Sequence, residues 1–502
     1  MSMNIIPSDY DALKQIERLL DEFGVSRQDG SFKRSDSREI FVVIVAGMIL
    51  RSDMDGVSSI VRALNLEPSR YESLVHAFHS EAWDLDQMRS SWAKYILDTD
   101  LPKRLNGKVI YLGDGCKQYH DGKYIAGVQK LHQESETQSK ASYIYGHLYG
   151  GLSIVLEFED KLYSMPLSLT IQNGIGATTD WEGSEHPYAN ESHVVQMLRE
   201  AIRFSTFSNT GSLLIEDRYF MSQNSFKLLD EEYGIRDFSH GIPADRPVEM
   251  ICCCKQNVHA YLDPIPHDKG MSGRKAMKGG DVYLRFLFNR KNLFTKATVK
   301  MYGEETEVYY CVRDLIWGAG YYQKIRFVLV YSKRGRMILA STSLNLSAEQ
   351  IIMLYSLRFN IEEMFKDIKQ DFAGFFGHFW TKSVPELNRF APKGSPDPLL
   401  SIVDPVARRA ILDNIHAMEA YALVASISMG ICQMIAIKAP VGGRIQKFVF
   451  KRTYTDKKVS VDSVRAYLRD LITTLLLNGY SDSSLINSIR KYQVRSKTSE
   501  VA

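Results

Sequence analysis

The spacing of apolar residues changes from a helical period to a strand period about one hundred residues into the chain. The segment "SDYDALKQIERLLDEFG" begins at a Ser/Asp cap and ends at Gly24, which is typical of an amphipathic helix. From residue 108, β-branched and aromatic runs such as "KVIYLGDG" predict strands. Over 108–254 the order of elements is β-β-β-α-β-α-β, which predicts an α/β fold.

The pattern changes twice more along the chain. A loop rich in Gly, Pro and Lys leads into several further strands, among them "DVYLRFLF" and "TEVYYCVRDLIW". A helical segment follows, and the last hundred residues are again helical. We therefore predict an N-terminal helical domain over 1–100, which either reads DNA or only packs against the rest. The core has two parts, 101–255 and 344–400, and a β-rich insertion over 256–343 separates them. A C-terminal helical region covers 401–502.

The segment "YSLRFNIEEMFKDIK" places four polar residues on one side of a predicted helix. Tyr355, Arg358, Glu362 and Lys369 are spaced by three, four and seven residues, and each of these spacings returns to one helical face. A capping box formed by Ser347 and Gln350 predicts where this single helix begins. The stripe borders the apolar face, so it lies either at the rim of a cleft or on an ordinary solvated face.

Three carboxylates occupy comparable positions in the predicted core. Asp114 and Asp217 lie at the ends of predicted strands, and Glu362 lies on the striped helix. Carboxylates gathered at one sheet edge without His or Cys suit a hard cation such as Mg²⁺ or Mn²⁺. Each also has an ordinary structural explanation, since Asp114-Gly115 is typical of a turn and Asp217 of a helix cap.

The net charge of +3 is weak for a nucleic-acid-binding protein, but its distribution is uneven. Residues 269–300 contain nine Lys or Arg and one acid, Asp281, and residues 438–458 contain seven basic residues and Asp456. These tracts are either contacts for a polyanion or solvated basic loops.

Cysteine, histidine and hydropathy patterns exclude several other classes of protein. The run Cys252 to Cys254 lacks C-x-x-C spacing, which argues for a reduced, half-buried strand over a zinc site or disulfide framework. The twelve His are scattered without a metal-ligand spacing. The apolar stretch 422–437 predicts a buried helix, and with no signal-peptide pattern at the start we expect a cytoplasmic protein.

The spacing Tyr355-x2-Arg358-x3-Glu362-x6-Lys369 resembles the Tyr-Arg-Glu-Lys signature of bacterial insertion-sequence transposases with a DDE triad, the family of insertion sequence four. "YLGDG" resembles the first-Asp segment of that family and "LIEDRYF" the second. The block between the second Asp and the Glu resembles the family's β-rich insertion. The likeness covers about residues 101–400.

The resemblance implies a ribonuclease H-like mixed sheet interrupted by the insertion and flanked by helical regions. Asp114, Asp217 and Glu362 would be catalytic and would ligate two Mg²⁺, with Mn²⁺ as a substitute. Tyr355, Arg358 and Lys369 would bind DNA phosphates near the cleaved end. From the basic tract 269–300, and on its charge alone, Arg274, Lys275 and Lys278 are further candidates for DNA binding. Trp317 would stack on a flipped base, unless it simply packs in the insertion's own core.

The resemblance also implies the substrate and partners. The enzyme would cut double-stranded DNA at terminal inverted repeats, join it to target DNA, and act as a homodimer at the bacterial nucleoid. Two alternatives stay open from the residues: a metal-dependent nuclease of the same fold that does not rejoin DNA, and a DNA-binding protein that no longer catalyses.

Overall fold

The structure is a computed structural model that describes residues 5–133, 141–232, 248–266, 275–392, 394–438, 445 and 459–494. These segments form one mixed β-sheet and a body of helices drawn from both ends of the chain. The α/β class predicted from the residue pattern is therefore confirmed.

The helices and strands have the following bounds. In chain order the helices are α1 (Pro7–Asp21), α2 (Ser35–Leu50), α3 (Gly56–Leu64), α4 (Arg70–Phe78), α5 (Leu85–Leu97), α6 (His193–Ser205), α7 (Gln223–Glu232), α8 (Ala348–Ser356), α9 (Phe359–Gln370), α10 (Pro405–Lys438), α11 (Val461–Leu477) and α12 (Ser484–Tyr492). The strands are β1 (Arg104–Leu105), β2 (Lys108–Tyr119), β3 (Gln129–His132), β4 (Tyr143–Phe158), β5 (Lys161–Ile171), β6 (Ser212–Glu216), β7 (Val248–Cys253), β8 (His259–Tyr261), β9 (Asp281–Tyr283), β10 (Thr295–Met301), β11 (Glu304–Trp317), β12 (Gln323–Ser332) and β13 (Gly335–Ser341).

The centre of the sheet is built around β2, which has a partner strand on each side. On one side β4 runs antiparallel to β2, and β5 runs antiparallel to β4. On the other side β6 runs parallel to β2, and β7 runs parallel to β6. The order of these strands is therefore β5-β4-β2-β6-β7. Neighbouring residues of β2 point to opposite faces, so Gly113 faces α6 while Asp114 faces α9.

The strands of the predicted insertion continue this same sheet. β13 pairs with β7, and β12 and β11 follow antiparallel, with β10 and β8 both paired to β11. The insertion is thus attached to the half of the sheet that contains β2 by backbone hydrogen bonds between β13 and β7. Two strands, β6 and β7, lie between the central strand β2 and β13, the first strand of the insertion in the sheet.

Helices from the first and last hundred residues pack together. α2 is buried from Phe41 to Leu50 and packs against α10, α11 and α12. The side chains of Arg465 and Arg469 donate hydrogen bonds to backbone carbonyls of Ile49 to Arg51, at the carboxyl end of α2. These cations satisfy carbonyl groups that a helix end leaves without an intrahelical partner.

One long apolar helix forms part of this body. Among the described residues, α10 alone has the length and composition to cross a membrane, and 94% of its most apolar window is buried inside the protein. A core helix has the same features, and the prediction of a buried helix over 422–437 is confirmed.

Two predicted elements differ in the structure. The striped helix is two helices, because the backbone between α8 and α9 tightens to i→i+3 hydrogen bonds at Leu357 and Arg358. The Asn360 side chain donates to the Leu357 carbonyl at 2.8 Å, a local bond that competes with the helical pattern. The strand predicted from "DVYLRFLF" ends at Tyr283 and continues as a 3₁₀ turn, in which Leu284 and Phe288 are the buried residues.

Candidate catalytic site

The first two acids lie on neighbouring parallel strands. The register pairs Leu112 of β2 with Ile215 of β6, so Asp114 and Asp217 stand two residues further along each strand. Asp217 follows the last residue of β6, as predicted. Both side chains are half-buried. Parallel strands bring the residues at their carboxyl ends to the same edge, and this geometry places the two acids side by side.

Asp114 does not end its strand, and the expectation that it does is wrong. β2 continues to Tyr119 because its pairing with β4 runs on, from Asp114 opposite Gly151 to Tyr119 opposite Gly146. The parallel pairing with β6 stops at Leu112. Asp114 therefore lies where β2 loses one of its two neighbours, which opens space beside its side chain.

Gly151 lets α9 approach the sheet beside Asp114. A Cβ at this position would lie 2.5 Å from Cζ of Phe365, an α9 residue that is buried against the strand. Gly151 is thus explained by a close approach of a ring to the backbone, whereas a Cβ at Gly150 would lie 1.9 Å from Nε2 of Gln172. This contact sets the height of α9, and with it the position of Glu362 above the sheet edge.

Arg358 joins the first Asp to the Glu. Its Nη1 donates to Oδ2 of Asp114 at 2.8 Å, and its Nη2 donates to Oε1 of Glu362. The side chains of Arg358 and Asp114 are 18% and 22% exposed, whereas Glu362 is 44% exposed, so the ion pair closes the inner part of the site. Asp217 lies near enough for its negative charge to raise the pKa of both Asp114 and Arg358.

Burial raises the pKa of Asp114 from 3.8 to about 6. The Arg358 guanidinium and the amide of Gly115, which donates to Oδ1 of Asp114 at 2.8 Å, oppose this rise, while Asp217 and Glu362 add to it. Burial on its own would lower the pKa of Arg358, but Asp114, Tyr355 and Glu362 raise it above its ordinary value. The site thus combines several carboxylates with one charged guanidinium.

The donor set suits a hard divalent cation, but Arg358 stands between two of its members. Carboxylate oxygens are the ligands of Mg²⁺ and Mn²⁺. Among the residues that the structure describes, no group of three His, Cys, Asp or Glu side chains is close enough to hold a metal ion. Asp114 and Glu362 instead share a cationic partner, the guanidinium. The residues fit the ion by chemistry, and binding it requires Arg358 to release them.

The other two members of the stripe are held by the sheet. The hydroxyl of Tyr355 lies next to the thiol of Cys253 on β7. Lys369 donates to the carbonyl of Lys117 at 3.0 Å and lies next to the thiol of Cys116, so it ties the end of α9 to β2. The stripe therefore faces the sheet along its whole length, with Arg358 and Glu362 at its centre.

The remaining predicted DNA-binding residues lie on or near the insertion. Arg274 falls outside the described residues, as do most of 438–458. Lys275 is exposed, and Nζ of Lys278 lies 3.6 Å from the ring centroid of Tyr261. The ring of Trp317 is half-buried, with its centroid 5.1 Å from that of Phe226. Trp317 also lines a cavity of about 290 Å³ together with Arg218, the residue after Asp217.

One feature beneath the site, Glu216, was missed from the sequence. Glu216 is fully buried beneath the site, and both its carboxylate oxygens lack a hydrogen-bond partner among the described residues. Burial, and then the charge of Asp114, raise the pKa of Glu216 well above its ordinary value. The sequence feature that could have revealed Glu216 is a Glu inside the otherwise apolar strand run "SLLIED".

The run Cys252 to Cys254 lies at the end of β7 and the residue after it, with Cys252 and Cys254 buried and Cys253 half-buried. This confirms the predicted half-buried strand. All three thiols are free.

Comparison with known proteins gives one match in sequence and one in structure. Residues 308–374, from β11 to just beyond α9, match the family described as "Archaeal putative transposase ISC1217". The matched segment contains Tyr355, Arg358, Glu362 and Lys369, and it supports a transposase. The family is archaeal, so membership of the bacterial family of insertion sequence four stays a prediction.

No curated protein matches the chain. Among solved structures, the cryo-EM structure of a piggyBac transposase synaptic complex with hairpin DNA is similar, at 10% identity and a TM-score of 0.33, over 98% of this chain and 84% of that one. A TM-score of this size is too low to assign the fold.

Proposed function

We propose that the protein is a DDE transposase that cleaves transposon-end DNA and joins the end to target DNA by two-metal-ion phosphodiester transfer. The observation that carries this proposal is the convergence of Asp114, Asp217 and Glu362, from β2, β6 and α9, on the single guanidinium of Arg358. The match of residues 308–374 to a transposase family supports the same reaction class.

The strand order supports a ribonuclease H-like core. The sequence β5-β4-β2-β6-β7, with the first two connections antiparallel and the last two parallel, is the order that this core would have. Asp114 on the central strand and Asp217 on its parallel neighbour would then be the two sheet-borne ligands.

In this proposal the three carboxylates hold two Mg²⁺ or Mn²⁺ ions. When bound, such a pair of ions activates a water or a 3′-hydroxyl and stabilises the leaving oxygen of the phosphodiester. The chain's own contribution is to present ionised oxygens. Asp114, with a pKa of about 6, is mostly ionised at neutral pH, and metal binding would weaken as the pH falls through that value.

Arg358 exchanges partners as DNA enters. A guanidinium donates to carboxylate and to phosphate with the same fork of N–H groups. We infer that Arg358 leaves Asp114 and Glu362 to the metal ions and turns to a phosphate at the DNA end. Tyr355 and Lys369 flank it as further phosphate contacts, and positioned phosphates hold the scissile bond in register.

The insertion supplies the remaining contacts in the proposal. Lys275 and Lys278, with Arg274 beyond the described part, neutralise the backbone of double-stranded DNA that carries terminal inverted repeats. Trp317, beside the cavity next to Arg218, stacks on a flipped base. Two copies of the chain pair the two ends before joining them to target DNA.

The test is cleavage of DNA from the flanks of the coding region, in the presence of Mg²⁺. Glu362→Gln should abolish cleavage and keep DNA binding, whereas the exposed neighbour Glu363→Gln should cleave normally. Normal cleavage by Glu362→Gln would overturn the proposal. Pre-cut ends that join target DNA distinguish a transposase from a nuclease that only cuts.

A further inference from the structure

Five aromatic rings form a continuous row across the insertion. Tyr322, Tyr261, His259, Tyr283 and Phe286, here called the ring ladder, have successive centroid separations of 6.1, 5.6, 5.8 and 6.1 Å. The pairing of β8 with β9 creates the row, because His259 lies directly opposite Tyr283 and both project from one face.

The outer end of the ring ladder is exposed. Tyr283 and Phe286 are 52% and 54% exposed, although rings of this size ordinarily bury most of their area. Neighbouring large aromatic side chains left open to solvent are typical of a binding surface.

Cations lie against the rings of the ladder. Nζ of Lys278 is 3.6 Å from the centroid of Tyr261, and the guanidinium of Arg285 is 4.8 Å from that of Phe286. Residues 275–300 contain seven Lys or Arg and a single acid, Asp281, which lies opposite Tyr261. Nearby, Asp263 is paired with Lys324 at 2.9 Å. The surface is therefore basic as well as aromatic.

The middle of the ring ladder borders a cavity that reaches the residue next to Asp217. His259 and Tyr261 line the cavity of about 290 Å³ that also contains Trp317 and Arg218. Arg218 follows Asp217 directly in sequence. A ligand lying along the rings from Phe286 inward would therefore arrive beside the second acid of the site.

We propose that the ring ladder binds an unpaired DNA strand and leads it towards Asp217. Bases offer their faces to aromatic side chains only when they are unpaired, and a basic border holds the phosphates of such a strand. The proposal rests on the proposed function in taking DNA as the ligand and in leading the strand towards Asp217. It adds that the DNA bound at this surface is single-stranded.

The experiment measures binding by fluorescence anisotropy with the full chain and no divalent cation, so that catalysis plays no part. The probes are a labelled thymidine oligonucleotide of about 16 nucleotides, within the range of single-strand sites, the matching uridine oligoribonucleotide, and a DNA duplex of equal length. The test variant is Tyr283→Ala/Phe286→Ala. The matched control is Tyr302→Ala, because Tyr302 is 39% exposed and lies under Arg334, elsewhere on the insertion.

We expect the double variant to lose about 25-fold or more in affinity for the single strand, since each of the two stacking contacts is worth about fivefold or more. Duplex binding should change less than about twofold, as should both affinities of Tyr302→Ala. Tyr283→Trp, which keeps a stacking surface, should bind like the parent.

The proposal is overturned if the double variant keeps its affinity for the single strand or loses as much affinity for the duplex. It is also overturned if the protein binds RNA of matching sequence more tightly than the DNA strand. Its failure is distinguishable from that of the proposed function. Cleavage that depends on Glu362 can persist without single-strand binding, and single-strand binding can persist in a chain that does not cleave.

Discussion

Arg358 donates a hydrogen bond to Asp114 at 2.8 Å, although the two residues are 244 positions apart in the sequence. The bond joins the start of α9 to the middle of β2 and lies next to Glu362 and Asp217. It neutralises carboxylates that would otherwise repel one another. The same bond must break if these carboxylates are to ligate metal ions, so metal and Arg358 compete.

This competition predicts the effect of Arg358→Ala on metal affinity. Without the guanidinium, Asp114 and Glu362 are free to bind Mn²⁺, and a hydrogen bond between charged groups is worth about 1.5–3 kcal/mol. We expect Mn²⁺ to bind the DNA-free variant about tenfold more tightly or better, as measured by isothermal titration calorimetry at pH 7.5. Lys366→Ala, an exposed change on the same helix, should bind Mn²⁺ like the parent. Weaker Mn²⁺ binding by Arg358→Ala would refute the competition.

The same variant should bind DNA ends less well. Arg358 is proposed to contact one phosphate, so its loss should reduce the slope of log affinity against log salt concentration by about one. Binding is measured by anisotropy across a salt series. An unchanged slope and affinity would remove Arg358 from the DNA contact.

The raised pKa of Asp114 predicts how stability depends on pH. The carboxyl has an ordinary pKa of 3.8 and a pKa of about 6 in the folded, metal-free protein. Between these values the folded state holds more protons, so this group's contribution to the free energy of unfolding falls as the pH rises from about 4 to about 6. Asp114→Asn should be more stable than the parent at pH 7, by at most about 3 kcal/mol.

Urea unfolding without divalent cations at pH 4 and pH 7 measures this difference. The advantage of Asp114→Asn should shrink towards zero at pH 4, where the parent carboxyl is protonated. Asp160→Asn, an exposed turn position with φ of 60° that Asn tolerates, should show no such dependence. An Asp114→Asn variant that is less stable at pH 7 than at pH 4, relative to the parent, would show that Arg358 outweighs burial.

Gly151→Ala tests whether Phe365 sets the height of α9. The added Cβ would lie 2.5 Å from the ring, and overpacking of this kind costs about 1–3 kcal/mol. Cleavage should fall with stability because Glu362 is displaced. A Gly280→Ala control meets nothing within 4 Å and should behave like the parent. Adding Phe365→Leu to Gly151→Ala should restore part of the loss, and purely additive effects would disprove the contact.

The side chain of Arg51 links the helical body to the end of α9. Its buried guanidinium donates to the carbonyl of Phe372, just after α9, and to the hydroxyl of Tyr421 on α10 at 2.7 Å. Arg51→Met leaves these acceptors buried and unpaired, which costs about 1–3 kcal/mol for each. We expect a loss of at least about 2 kcal/mol in urea unfolding. Arg62→Met breaks only exposed ion pairs and should cost less than about 1 kcal/mol.

Local pattern was enough to predict most strands of the core. β4, β6 and β7 alternate or run apolar over their length, and turn residues bound them, so their order was visible in the sequence. The position of Asp217 after β6 followed from the same pattern. The break at Leu357 did not, because it depends on one side-chain bond from Asn360 that competes with an otherwise uniform helical period.

Long-range pairing determined what the sequence left open. Asp114-Gly115 has the composition of a turn, yet β2 continues because β4, some thirty residues later, supplies a partner beyond it. The continuation of the sheet through β13 into the insertion depends on three paired residues of β7. The burial of Glu216 depends on α6 covering that face. None of these long-range contacts produces a periodic pattern in the sequence.

The most direct test of the central claim is the position of Mn²⁺ in crystals of the protein with a cleaved DNA end, located by anomalous scattering. The account predicts Mn²⁺ held by oxygens of Asp114, Asp217 and Glu362, with the Arg358 guanidinium moved onto a phosphate. Mn²⁺ bound elsewhere, with Arg358 still joining Asp114 to Glu362, would contradict it.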